Sequence, residues 1–166
     1  MEEFKLFAEP WWVNLVVLVP FAAFWSWRRG LALSRRTLAI AGIWAVAFGF
    51  METAVVVYLR AALGTASNVA VLASETLTAA SHRLLAIETF REAATIVMLV
   101  SLALLAASGR RERWTVFLWA FALWDIAYYA GLWLTVRWPQ SLTTPDVLFL
   151  IPVPWIAQVW FPLLVS

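Results

Sequence analysis

The sequence predicts an all-α fold: a polytopic integral membrane protein whose 166 residues form a single bundle of five transmembrane helices. Hydrophobic residues make up 64% of the chain and charged residues only 13%, whereas charged residues make up about 25% of a typical soluble domain. The apolar residues are gathered in long stretches, and about 20 of them are enough for a helix to cross a bilayer. The length therefore suits one small bundle without a second, soluble domain.

Each of the five apolar stretches has roughly the length of one membrane crossing. They cover residues 11–27, 37–59, 84–107, 114–136 and 147–165. Pro152, Pro154 and Pro162 interrupt the last stretch, and because proline cannot donate the helical hydrogen bond, we expect a proline-broken fifth helix. Tryptophans such as Trp11 and Trp133 lie at the predicted span ends, which is typical of aromatic residues at membrane interfaces.

The distribution of arginine predicts how the bundle is oriented, because cytoplasmic loops carry an excess of Lys and Arg. The loops that follow the first and third stretches together hold Arg28, Arg29, Arg35, Arg36, Arg110, Arg111 and Arg113. We therefore expect these loops on the cytoplasmic side of a bacterial inner membrane, with the N-terminus outside and the C-terminus inside. The longest connection, residues 61–83, would then face outside.

Charged and hydroxylated side chains within the predicted spans indicate a functional site, because ionisable groups in a membrane are costly. They are Glu52 in the second stretch and Arg60 at its outer edge, Glu88, Arg91 and Glu92 in the third stretch, and Asp125, Tyr128 and Tyr129 in the fourth. At a helical rise of about 1.5 Å per residue, Glu52 and Glu92 lie about 12 Å, and Asp125 about 16 Å, from the outer ends of their helices. We expect the whole set to converge on one polar site that opens outward.

The predicted site holds more acidic than basic groups. The carboxylates of Glu52, Glu88, Glu92 and Asp125 outnumber the guanidinium groups of Arg60 and Arg91 by two. A buried carboxylate without a partner takes up a proton or binds a cation. We therefore expect the site to bind a proton, a cation or a small polar ligand, in connection with transport.

The basic and hydroxyl groups have an expected part in this binding. Arg60 and Arg91 would orient the carboxylates or hold an anionic group of the ligand, and Tyr128 and Tyr129 would supply hydroxyl donors.

A metal site is an alternative for the same carboxylates. Glu52, Glu88, Glu92 and Asp125 offer the oxygen ligands that hard cations prefer, so a bound metal cation is the cofactor to consider. Such a site would suit a membrane-embedded, metal-assisted enzyme acting on a lipid or isoprenoid substrate. The chain has no cysteine, which excludes disulfides, thiolate ligands and thiol nucleophiles.

A structural role is a further alternative, in which the ion pairs fix helix packing in a subunit of a larger membrane complex. The expected partners are accordingly the lipid bilayer, a small ligand or ion, and either further copies of the chain or a membrane complex. The net charge of +2 gives no indication of nucleic-acid binding.

Two stretches in the second half of the chain resemble a family of small bacterial multi-pass membrane proteins. They read REAATIVML, from Arg91, and WDIAYYAGLWLTVRWPQSLTTPDVLFLIPVPW, which ends at Trp155. The resemblance implies a multi-pass architecture and brings with it no activity, cofactor or site residue.

Overall fold

The structure, a computed structural model, describes residues 7–27, 30, 32–62 and 79–166. The predicted outer connection, residues 61–83, lies largely outside the described residues. The elements in chain order are a 3-10 helix Trp11–Val17, α1 Leu18–Trp27, α2 Arg35–Ala62, α3 Ala79–Ala106, α4 Arg110–Val136, β1 Pro145–Phe149, β2 Trp155–Gln158 and α5 Trp160–Val165.

The long helices α2, α3 and α4 confirm the second, third and fourth predicted helices. Three segments in them are long and apolar enough to cross a membrane: Arg35–Ala61, Arg83–Ala106 and Arg110–Val136. Local signals fix some of their ends. The Ser34 hydroxyl accepts the Thr37 N–H at 3.0 Å just before α2, and Arg137 takes a left-handed conformation (φ 55°) at the end of α4.

The first apolar stretch is helical, as predicted, but its first half is a 3-10 helix and only its second half is an α-helix. Asn14 anchors the start of this stretch. Its side-chain oxygen accepts the Ala8 N–H at 2.9 Å, and its side-chain nitrogen donates to the carbonyl oxygens of Ala8 at 2.9 Å and Trp11 at 2.8 Å.

The prediction of a fifth helix over residues 147–165 is wrong. These residues form an antiparallel hairpin of β1 and β2, followed by the six-residue α5. Pro152 and Pro154 lie in the connection between the two strands, where their missing N–H groups cost no helical or ladder hydrogen bond. The fold is thus mostly helical but not all-α, and we refer to residues 145–166 as the C-terminal segment.

The hairpin is joined to the N-terminal residues by further strand-like pairing. The N–H of Glu9 donates to the Ile156 carbonyl and the N–H of Ile156 to the Glu9 carbonyl, each at 2.8 Å. Next to this bridge, Val13, Ala157 and Phe161 are buried in a common apolar cluster. Strand β2 therefore has a backbone partner on each side, and the residues around Glu9 and Val13 form one unit with the C-terminal segment.

Helix α2 packs along α4 with little space between the backbones. The Thr53 hydroxyl lies within hydrogen-bonding distance of the Tyr128 carbonyl oxygen at 3.1 Å and of the Gly49 carbonyl oxygen at 3.0 Å. A Cβ atom on Gly49 would lie only 2.5 Å from the Trp124 carbonyl oxygen. Helix α3 packs mainly on α4 and has few direct contacts with α2. Small residues along the α2–α4 interface thus make the closest helix pair in the bundle.

We predict that Gly49→Ala destabilises the protein by about 1–3 kcal/mol, because the new methyl group would meet the α4 backbone, which cannot move aside. Gly42→Ala is the matched control on the same helix. Its Cβ atom would meet the Leu123 Cδ1 atom at 3.0 Å and the Trp119 Nε1 atom at 3.3 Å, and side chains can adjust. Thermal unfolding of the purified proteins in one detergent measures both changes; equal losses would contradict the proposed role of the interface.

Candidate functional site

A cavity of about 240 Å³ lies between α2, α3, α4 and the C-terminal segment. It is at the end of the bundle where α2 and α4 end and α3 begins, which we call the hairpin end. Apolar side chains form most of its wall, among them Val56, Phe121 and Phe149. An engineered protein cavity of about 150 Å³ holds benzene, so this cavity is large enough for a small organic molecule.

All eight side chains predicted to form the site line this one cavity. They are Glu52, Arg60, Glu88, Arg91, Glu92, Asp125, Tyr128 and Tyr129. The structure adds a ninth ionisable residue, Asp146 of β1, to the same wall. The polar groups therefore come from three helices and from the hairpin.

Arg91 is the centre of an ion-pair cluster that links α3 to α2. Its guanidinium group pairs with Glu88 on the preceding turn of α3 and with Glu52 of α2. The Nε atom donates to Glu88 Oε2 at 2.9 Å, and the Thr95 hydroxyl donates to the other carboxylate oxygen of Glu52. One cation thus serves two carboxylates, in a region where α2 and α3 otherwise have few contacts.

Two further carboxylates, predicted as ligand or metal groups, instead hold the C-terminal segment. Glu92 Oε2 accepts the N–H of Leu150 at 2.7 Å, immediately after β1, where the strand ladder has ended. Asp125 Oδ2 accepts the hydroxyl hydrogen of Ser166 at 3.0 Å. Both carboxyl groups belong to buried residues. Each provides a hydrogen-bond acceptor for an N–H or O–H group that the fold has removed from water.

Asp146 is the site residue that the sequence did not reveal. It is buried, and its two oxygens accept the Tyr129 hydroxyl at 2.7 Å and the Val147 N–H at 2.9 Å. Burial raises the pKa of this carboxyl group to about 6, although the Tyr129 hydrogen bond and the positive charge of Arg60 oppose the rise. An acid that precedes a predicted helix is ordinarily solvated, so only recognition of the hairpin could have placed it here.

Arg60 differs from Arg91 because no carboxylate of the described residues pairs with it. The residue is only 8% exposed, and its Nε and Nη2 atoms are buried without a hydrogen-bond partner among the described residues. Its guanidinium carbon lies 4.4 Å from the centre of the Trp138 ring. Of the two roles expected for the arginines, orienting carboxylates or holding an anionic group of the ligand, Arg91 has the first in the structure, and Arg60 pairs with no carboxylate of the described residues.

The two tyrosines that were expected to supply hydroxyl donors make different contacts in the structure. Tyr129 donates its hydroxyl to Asp146, whereas the Tyr128 ring lies in the cavity wall, stacked on Trp124 with 6.4 Å between the ring centres.

The carboxylates do not converge into a metal centre. Within the described part of the chain, no three His, Cys, Asp or Glu side chains are placed to hold one ion. The reason is that Glu52 and Glu88 turn toward Arg91, while Glu92 and Asp125 turn toward the C-terminal segment. The metal site that we considered from Glu52, Glu88, Glu92 and Asp125 is therefore not formed by this geometry.

The excess of acidic groups is larger than the sequence indicated, since Asp146 joins the four predicted carboxylates beside Arg60 and Arg91. This excess of carboxylates assumes that the basic residues His82 and Arg83 remain outside the cavity, because their positive charges would otherwise offset it. Arg83 is exposed, and the side chain of His82 lies outside the described part of the chain.

The fold and the site together define a mostly helical bundle, with three helices long and apolar enough to cross a membrane, and a largely apolar cavity that carries a cluster of charged groups. Comparison with protein-family models, with curated proteins and with solved structures gave no match to this chain. The geometry of the cavity is therefore the basis for the functional assignment.

We predict that Arg91→Met destabilises the protein by about 3–5 kcal/mol, because it leaves the buried carboxylate of Glu52 and the half-buried carboxylate of Glu88 without their cation. The matched control is the triple variant that combines Arg91→Met with Glu52→Gln and Glu88→Gln, in which no charge is left unpaired. It should recover most of the loss in a detergent unfolding experiment. If Arg91→Met alone unfolds like the wild type, the cluster does not hold α2 and α3 together.

The raised pKa of Asp146 predicts that folding stability depends on pH. Its folded-state pKa of about 6 lies above the ordinary value of 3.8, so between these values the folded protein binds a proton that the unfolded chain has released. Its contribution to stability must then fall as the pH rises from about 4 to about 6. The charge of Arg60 acts on this carboxyl group, and the charge of Asp146 in turn acts on Asp125 and Tyr129.

The pH dependence is measured against Asp146→Asn, which keeps the shape of the side chain and does not titrate. The variant should lack the component of the stability change that Asp146 contributes between about pH 4 and about pH 6. Thermal unfolding across this range measures it for both proteins. Identical pH profiles would show that Asp146 is not the group responsible.

Proposed function

We propose that this chain is an inner-membrane protein that binds a small amphipathic molecule in the cavity at the hairpin end, for reception or transport. The observation that supports this most directly is the composition of the cavity wall, where apolar side chains surround a few charged groups. Small-molecule sites in proteins usually have this character. The acidic excess would be offset by protons on some of the carboxyl groups.

In the membrane, we propose four crossings in place of the five predicted. Three are α2, α3 and α4. The fourth is the N-terminal stretch Trp11–Trp27, since a seven-residue 3-10 helix and a ten-residue α-helix together extend about 29 Å, close to the thickness of about 30 Å of the hydrocarbon core.

The arginine-rich loops would face the cytoplasm and the hairpin end would face outside. The C-terminal segment would remain in the outer half, because Ser166 is hydrogen-bonded to Asp125, about 16 Å along α4 from the end of that helix.

The orientation is open to a clean test, because the natural sequence has no cysteine. Gln140, at the hairpin end, and Ser108, at the opposite end, are both exposed. We predict that Gln140→Cys reacts with a membrane-impermeant maleimide in intact cells and that Ser108→Cys reacts only after the membrane is opened. The reverse pattern would overturn the proposed orientation.

The enzyme alternative receives less support from the geometry than ligand binding does. A metal-assisted reaction would need several carboxylates directed at one ion, and each of the four candidate carboxylates is directed at a protein group instead. The ligand-binding proposal needs only the cavity and its donors, so we retain it as the function that the geometry supports best.

Ligand binding is tested with a terminally brominated undecanol, because bromine quenches tryptophan fluorescence at short range and Trp124 and Trp155 line the cavity. We predict saturable quenching of the purified protein in phosphatidylcholine nanodiscs. Trp124→Phe should reduce the quenching, while the exposed Trp114→Phe should not. Quenching that rises in proportion to the probe without saturation, or that is the same in Trp124→Phe, would show partitioning into lipid and would overturn the proposal.

A further inference from the structure

We propose that the ligand carries an oxyanion, a carboxylate or a phosphate ester on an apolar body, and that Arg60 binds it through two parallel hydrogen bonds. This inference deepens the proposed function and rests on it. Arg60 lines the cavity near the end of α2, two turns after Glu52, and its side chain is almost entirely buried.

The first observation is which polar groups lack partners. Among the described residues, the buried side-chain atoms without a hydrogen-bond partner are Arg60 Nε, Arg60 Nη2, Trp124 Nε1 and Trp155 Nε1. All four are nitrogen donors, and all belong to residues that line the cavity. Buried polar groups are normally satisfied, and each exception calls for an explanation. A ligand that supplies hydrogen-bond acceptors would satisfy these four donors.

The second observation is the geometry of the two arginine atoms. Nε and Nη2 form one edge of the guanidinium group, and their N–H bonds point the same way, which matches the two oxygens of a carboxylate or phosphate. Arg91 uses this same pair of atoms to bind the carboxylate of Glu88. In Arg60, the edge that its neighbour uses to hold an oxyanion is therefore buried and has no hydrogen-bond partner among the described residues.

The third observation concerns the groups that surround Arg60. The Trp138 ring lies against the guanidinium group at 4.4 Å, a cation–π contact that holds the plane of the group. Asp146 is the acidic residue whose charge acts on Arg60. Its two oxygens already accept hydrogen bonds from Tyr129 and Val147.

The remaining wall indicates the rest of the ligand. Val56 and Leu59 from α2, Phe121 from α4 and Phe149 from β1 provide an apolar surface, and the volume of about 240 Å³ limits how much apolar material is enclosed. A short or medium-length hydrocarbon chain with an oxyanion at one end meets both conditions. Its source is either a free organic acid or the head group of an anionic lipid.

The test compares terminally brominated undecanoate with the brominated undecanol of the same length, using tryptophan quenching in phosphatidylcholine nanodiscs. We expect the wild type to bind the acid at least about tenfold more tightly than the alcohol, since hydrogen bonds to charged groups contribute about this much. Arg60→Gln should lose this preference and still bind the alcohol. Arg60→Lys keeps the charge without the two-pronged edge and should retain only part of the preference.

Arg137→Gln is the matched control. Arg137 is also near the hairpin end, and its guanidinium carbon also lies close to a tryptophan ring, 4.6 Å from the centre of Trp133, but it is exposed. Its removal should leave both affinities unchanged. Removal of an unpaired buried charge should not unfold the protein, and Arg60→Lys provides the comparison if Arg60→Gln does not yield folded protein.

The outcomes separate this inference from the proposed function. If neither probe binds the wild type saturably, the proposed function fails. If both probes bind equally and Arg60→Gln changes neither, the cavity binds ligands but Arg60 does not select an oxyanion, and this inference alone is overturned. Displacement of the acid by phosphatidate added to the nanodiscs would support it with a lipid source, and displacement by free decanoate alone would support it with a free acid.

Discussion

The ion pairs of Arg91 determine how every other charged group in the cavity is used. One guanidinium group holds Glu52 on α2 and Glu88 on α3, which joins two helices that have few direct contacts. Glu92 and Asp125 form no ion pair with either arginine, and they accept hydrogen bonds from Leu150 and Ser166 instead. In a low-dielectric interior such sharing is favoured, because an ionised group without a partner is more costly than a pair.

The hairpin depends on this division of the carboxylates. Backbone N–H and C=O groups that are removed from water must find partners inside the protein, so a strand edge that is shielded from water has to be covered. Strand β2 is covered by β1 on one side and by Glu9 on the other. Where the ladder stops after β1, the Leu150 N–H is taken by Glu92. The acidic residues of the helices therefore stabilise a non-helical element that closes the cavity.

Part of this arrangement could be predicted from the sequence. A constant helical rise converts residue number into depth, which is why Glu52, Glu92 and Asp125 could be brought to one cavity without coordinates. The hairpin could not be obtained in this way, because two prolines separated by one residue are compatible with a broken helix and with a strand connection alike. Asp146 was missed for the same reason, since its position follows from the hairpin. The partner of each carboxylate depends on side-chain directions that periodicity does not specify.

The number of charges in the cavity and the hydrogen-bonding groups that lack partners indicate different kinds of ligand. Acidic groups outnumber basic groups, and the count alone therefore indicates a proton or a cation. In the structure, however, each of these carboxylates accepts at least one hydrogen bond or ion pair from the described residues. The buried side-chain atoms that lack partners there are donors. A buried donor without an acceptor costs its full desolvation energy, whereas a carboxyl group in excess can be neutralised by a proton from solvent. The unmet requirement of the cavity is thus for acceptors, and an oxyanion supplies them.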